Sequence, residues 1–210
     1  MSRPLEERIT LPGPVGGLEA LLHREPGADT VAVICHPHPL HGGAMQNKVV
    51  HTLQRAARDL GAHTLRFNFR GVGKSAGDYA EGAGETEDCL AAIDWVQREL
   101  GVSKVWLLGF SFGGFVAAAA ATRLAHWPER LLLVAPSVER MPFADLLPLA
   151  GPASVFVPED DDVVSPDAMR ELLAGEEGVT LQEFAAAGHF FHGQLVELKA
   201  AAEAVLQGAG

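Results

Sequence analysis

The sequence predicts an α/β fold, a mostly parallel central sheet flanked by helices. Three observations carry that prediction. Short, continuously apolar runs such as 30–35 suit strands covered on both faces. Between them lie longer stretches with apolar residues at helical spacing, such as Leu90, Ile93, Val96 and Leu100. The two kinds of segment alternate along the chain, which is the pattern of a parallel sheet wrapped by helices.

Taken in order, 8–11 and 18–23 suit an antiparallel edge, and 30–35 is the first buried strand. Residues 44–60 read as a helix ended by Gly61, and 63–69 as a strand with alternation. A glycine-rich loop, 71–84, leads to a helix at 85–100. Then follow a strand at 104–108, a helix at 111–124 and strands at 130–135 and 153–157. Ser165 and Pro166 open a helix, serine suiting the cap and proline the first turn. A strand at 180–184 and a helix at 194–206 complete the chain. The 210 residues suit one domain, 1–210. Only 136–152 separates the strands at 130–135 and 153–157, room for one short helix near 142–149 and no cap domain.

The formal net charge is -11, so the chain lacks the basic surface that nucleic acid or an anionic membrane demands. Two cysteines, Cys35 and Cys89, make no disulfide framework and fit no zinc motif. The amino-terminal residues are partly acidic with no apolar core, unlike a secretory signal. The apolar stretch 115–121 is too short to span a bilayer. These features predict a soluble, cytoplasmic protein.

In open parallel sheets, ligands sit beyond the carboxyl ends of the strands. There the strand 104–108 runs into Gly109-Phe110-Ser111-Phe112-Gly113-Gly114 and an alanine-rich helix. Glycine is common in this chain, so G-x-S-x-G alone is a weak signal. A strand before it and a helix after it make it specific to a nucleophile elbow, with the Ser111 hydroxyl exposed on a sharp turn. The helix amino terminus behind Ser111 favours the negative charge of an oxyanion.

A serine hydroxyl needs a base, usually a histidine oriented by a carboxylate. After such an elbow the chain order is serine, acid, histidine. His126, His189 and His192 lie downstream. His126 falls at the wrong end of the sheet. His189 follows the strand 180–184 through Ala185-Ala186-Ala187-Gly188, at the right end, and His192 is its rival. The strand 153–157 ends in Pro158-Glu159-Asp160-Asp161-Asp162, and spacing alone does not choose among these carboxylates.

Together these residues resemble the α/β-hydrolase superfamily. More narrowly, they are similar to its small, lid-less members related to dienelactone hydrolases, which carry an H-P-H-P-x-x-G-G segment. Here that segment is His36-Pro37-His38-Pro39-Leu40-His41-Gly42-Gly43, followed by Met45, Asn47 and Lys48. Arg70-Gly71-Val72-Gly73-Lys74-Ser75 and Gly188-His189-Phe190-Phe191 also resemble the group. Its acid sits in a G-x-x-D-x-x-V-P pattern, which maps onto 158–165 and selects Asp161, with Pro158 and Ser165 replacing the glycine and the last proline. Dienelactone hydrolases use a cysteine nucleophile. The serine here takes the resemblance away from lactones, and Cys35 and Cys89 read as packing residues.

The resemblance implies a triad of Ser111, Asp161 and His189. It also implies oxyanion donors at the backbone N–H groups of Phe112 and His38, since Pro37 and Pro39 have none. The expected reaction is cleavage of esters of small acyl groups through an acyl-enzyme, with no cofactor and no metal. An acyl thioesterase is the alternative, because the same triad serves both. A non-catalytic binding module is a third reading, opposed by the presence of all three triad residue types. His36, His38 and His41 also have metal-like spacing, but hydrogen-bonded spacers in a proline-stiffened loop fit the oxyanion role. The run 68–75 approaches a phosphate-binding loop, yet Asn68 stands where its first glycine belongs and no helix starts at once.

Overall fold

The structure, a computed structural model, describes residues 6–208. The expectation of no signal-like segment at the very start falls partly on residues outside that range.

An eight-stranded sheet forms the centre, in the order β1-β2-β4-β3-β5-β6-β7-β8. β1 (Glu7–Gly13) and β2 (Gly16–His23) pair as an antiparallel hairpin, and β2 pairs antiparallel with β4 (His63–Phe67). β3 (Thr30–Cys35), β5 (Lys104–Phe110), β6 (Arg130–Val134), β7 (Ala153–Pro158) and β8 (Val179–Phe184) continue from β4 in parallel. The antiparallel edge expected at the amino end is therefore present, with longer strands than its short apolar runs suggested.

Alternation along β3 divides the core. Val31, Val33 and Cys35 point to one face, with Cys89 and Ala92 of α2 (Ala83–Leu100) and Val116 and Ala120 of α3 (Phe112–Ala121). Ala32 and Ile34 point to the other, with Val49 and Leu53 of α1 (Lys48–Asp59) and Leu198 and Ala202 of α5 (Leu195–Leu206). α4 (Pro166–Leu173) adds Met169 and Leu173 to the first face. Every residue of β3 is buried, as a strand covered by helices on both sides requires.

Several boundaries differ from the sequence expectation, among them the end of α3 at Ala121 rather than 124 and of β5 at Phe110 rather than 108, and two have a plain cause. The helix foreseen from 44 begins at Lys48, because Asn47 caps it by accepting the N–H groups of Val49 and Val50. The strand foreseen to 69 ends at Phe67, because the ladder to β2 stops one bond later, where the Glu19 N–H goes to Ser75 Oγ and the Phe69 N–H leaves the sheet. Asn68 donates to the Glu19 carbonyl and Phe69 to His36 Nε2. Between β6 and β7 the chain makes a single 3₁₀ turn, Phe143–Leu146, and no cap. Ser165 caps α4 through the Ala168 N–H, with Pro166 as its first residue.

Candidate active site

Ser111 sits between β5 and α3 at φ 57 and ψ -119, a conformation that residues other than glycine rarely adopt. The turn is closed by neighbours on both sides. Ser111 N–H donates to the Val134 carbonyl at 2.9 Å, and the Ser111 carbonyl accepts Gly114 N–H and Ser137 N–H. The flanking glycines are demanded by space. A Cβ on Gly109 would lie 2.1 Å from the Gly113 carbonyl oxygen, and one on Gly113 would lie 2.4 Å from that of Cys35. Both obstacles are backbone, so no rotamer change relieves them.

His189 lies in the turn after β8. Its Nδ1 is 2.7 Å from Asp161 Oδ2 and its Nε2 is 3.0 Å from Ser111 Oγ. The geometry suits an Nδ1–H donating to the carboxylate and a bare Nε2 accepting the serine hydroxyl. The imidazole packs against the rings of Phe110 and Phe190, each with its centroid 5.0 Å away. The other Asp161 oxygen, Oδ1, accepts Val163 N–H and Val164 N–H, both at 2.8 Å. The carboxylate is therefore held at both oxygens, and its side chain is fully buried. Asp160 N–H donates to the Ala187 carbonyl, which fastens the acid-bearing loop to the histidine-bearing one. Among the three aspartates left open by spacing, Asp161 is the one that meets His189. His192 is exposed and stacks on Phe190. His126 lines a groove with Lys104 and Trp127 at the opposite end of the sheet.

The loop after β3 carries three histidines with different surroundings. His36 is fully buried, its Nδ1 2.7 Å from the Pro37 carbonyl and its Nε2 accepting Phe69 N–H at 3.0 Å. Burial pushes its pKa down to about 4, so it stays neutral. With both nitrogens engaged inside the protein it has no lone pair for a metal. Among the described residues no group of three or more His, Cys, Asp or Glu is arranged to hold a metal ion. His38 is half-buried beside Ser111's helix, with its ring centroid 5.0 Å from that of Phe112. Leu40, two residues further along this loop, gives its N–H to His38 Nδ1 at 3.2 Å. The backbone N–H groups of His38 and Phe112 have no acceptor among the described residues.

The run 68–75 is a structural knot. Glu19 Oε2 accepts Asn68 Nδ2 at 3.0 Å and Lys74 N–H at 2.9 Å, and Asn68 Oδ1 accepts Met45 N–H at 2.9 Å. Ser75 Oγ donates to the Asn68 carbonyl and accepts Glu19 N–H. Arg70 clamps Asp88 of α2 through its guanidinium and its backbone N–H. With Lys74 N–H taken by a carboxylate, the loop does not cradle phosphate. Sequence reading missed the roles of Glu19, Asp88 and Tyr79, and foresaw His36 as a hydrogen-bonded spacer without its partner. The bonds that define these roles reach partners 18 to 55 positions away, and only the resemblance of the run from Arg70 to Ser75 hinted that something holds this loop.

A sequence profile described as the alpha/beta hydrolase fold matches residues 33–146. The structure of an alpha-beta serine hydrolase homologue from Coxiella burnetii is 41% identical, with a TM-score of 0.89 over 94% of this chain and 95% of that one. A serine hydrolase without lid from Xanthomonas campestris is 38% identical, also with a TM-score of 0.89, over 97% and 96%. Protein RP471 of Rickettsia prowazekii is 34% identical over 170 residues, 79% of this chain and 71% of that protein. Among the described residues, no helix is long and apolar enough to cross a membrane. With the profile spanning more than half of the sequence and these relatives aligned over most of it, the chain belongs to the α/β-hydrolase fold family, in its lid-less form.

Proposed function

We propose that this protein is a serine hydrolase that cleaves carboxylic esters of small acyl groups, acting as one catalytic domain in the cytoplasm. The observation that carries the reading is the continuous hydrogen-bonded line from Ser111 Oγ through His189 to Asp161, mounted on a strained elbow. Ser111 Oγ attacks the ester carbonyl while His189 Nε2 takes its proton, and Asp161 steadies the resulting imidazolium. The carbonyl oxygen becomes an oxyanion facing the N–H groups of Phe112 and His38. Collapse expels the alcohol, which receives the proton from His189, and leaves Ser111 acylated. A water activated by His189 then releases the acid and restores the serine.

The preference for small acyl groups rests on the missing cap. The chain between β6 and β7 offers one 3₁₀ turn to cover the site, so little apolar wall is available for a long acyl chain.

The test combines a fluorophosphonate label with a panel of acyl esters and acyl thioesters. Labelling confined to Ser111, with turnover of short esters, is the expected result. Turnover of thioesters in preference to esters replaces the substrate class. No labelling and no turnover leaves a binding module on a hydrolase fold.

A further inference from the structure

The hydrolase reading leaves one polar group beside His38 and Phe112 without a task. Tyr79 lies half-buried in the connection between β4 and α2. Its ring packs against His38, with centroids 5.0 Å apart, and Phe112, with centroids 5.9 Å apart. These are the two residues whose backbone N–H groups face the proposed oxyanion. The segment around Tyr79 is anchored, since Ala80 N–H and Gly82 N–H donate to the buried Glu85 carboxylate at 2.8 and 2.7 Å.

Hydrogen bonding decides where the Tyr79 proton points. Leu40 N–H donates to His38 Nδ1, so that nitrogen carries a lone pair. The neutral His38 ring therefore bears its proton on Nε2, which lies 3.2 Å from Tyr79 Oη. Nε2–H donates and the phenol oxygen accepts. The Tyr79 O–H is left to donate elsewhere, and among the described residues it has no protein acceptor. Both groups hold the required protonation at neutral pH. Burial, aided by His41, lowers the His38 pKa, and burial, aided by Glu85 and Glu81, raises that of Tyr79.

We propose that the Tyr79 hydroxyl is a substrate-positioning donor, which hydrogen-bonds an ether, hydroxyl or carbonyl oxygen borne by the substrate close to the scissile ester. The preferred substrates are then short, oxygen-bearing esters rather than plain hydrocarbon ones. A site built to bond a substrate oxygen discriminates against the analogue that lacks it, because its own polar group is then unpaired. This inference rests on the serine-hydrolase reading.

The experiment uses two isosteric pairs in which an ether oxygen replaces a methylene. On the acyl side, p-nitrophenyl methoxyacetate is compared with p-nitrophenyl butyrate. On the alcohol side, methoxyethyl acetate is compared with butyl acetate. Each kcat/KM ratio is measured for the wild type and for Tyr79→Phe, so that the intrinsic reactivity of the esters cancels. Tyr79→Phe removes one oxygen from a half-exposed ring and keeps the packing on His38 and Phe112. In the variant, at least one ratio should fall about 3- to 10-fold, the range of one ordinary hydrogen bond. Ratios that stay constant overturn the proposal, including the case in which all esters slow equally, the signature of a structural role. If the wild type turns over none of these esters and fluorophosphonate leaves Ser111 unlabelled, the hydrolase reading fails and this inference falls with it.

Discussion

His36 Nε2 accepts the Phe69 N–H at 3.0 Å, tying the loop after β3 to the chain leaving β4. That bond requires a neutral imidazole, and the ring is fully buried with its pKa pushed down to about 4. In the unfolded chain a histidine takes up its proton near pH ~6.5. The folded state binds that proton only near its own lower pKa, so the unfolded state is favoured in between. The stability contributed by His36 is thus complete above about pH 6.5 and is lost as the pH falls toward about 4, by an amount of order 3 kcal/mol. His36→Gln offers an uncharged side chain in its place. Denaturant titrations at about pH 7 and about pH 4.5 should show a loss on acidification that is smaller in the variant by about 2 kcal/mol. An equal loss in both proteins would show that His36 does not set the acid limit.

The φ of 57 and ψ of -119 at Ser111 have a cost that glycine would escape. Ser111→Gly should therefore be more stable than Ser111→Ala by about 1 kcal/mol or more, by the usual cost of such backbone strain. Both should be inactive, with rates lower by about 10⁴ to 10⁶. Thermal unfolding of the two purified variants makes the comparison, and equal melting temperatures would remove the strain argument.

His189 and His192 are separated by two residues, yet one is buried against Ser111 and the other is exposed. His189→Ala should lose turnover by about the same factor as Ser111→Ala, because triad members act as a unit. Asp161→Asn should also be deficient, by about 10⁴, since an amide neither holds the tautomer nor stabilises imidazolium. His192→Ala should retain most of the rate. An inactive His192→Ala beside an active His189→Ala would reassign the base.

Asp88 is fully buried on α2 and bonds both the side chain and the backbone N–H of Arg70. Removing one partner strands a buried charge. Asp88→Ala should destabilise the fold by about 3–5 kcal/mol. Arg70→Met with Asp88→Leu, which replaces the pair by apolar groups, should recover part of that loss. Denaturant midpoints of the single and double variants measure both effects. A single variant as stable as the wild type would mean that the clamp contributes nothing.

The sequence by itself determined what is local. Alternating apolar segments required a parallel sheet wrapped by helices, because neither kind of segment can bury its apolar residues alone. Gly109, Ser111 and Gly113 marked the elbow, because the steric demand of a turn that tight falls on the residues that make it. The position of His189 beyond a strand's carboxyl end was legible for the same reason. Tertiary structure decided whatever depends on which loops become neighbours. Three consecutive aspartates have the same chemistry. Only the parallel pairing of β7 with β8 and the bond from Asp160 N–H to Ala187 bring Asp161, rather than the residue on either side, against His189. His36 had metal-like spacing in sequence and read better as a hydrogen-bonded spacer, but which group it would bond was settled only when Phe69 arrived at its Nε2 from 33 positions away. The proton on Tyr79 was set in the same manner, by a histidine 41 positions distant whose other nitrogen is already occupied. A side chain's type is written in the sequence, but the partner that fixes its protonation and direction arrives only when the chain folds.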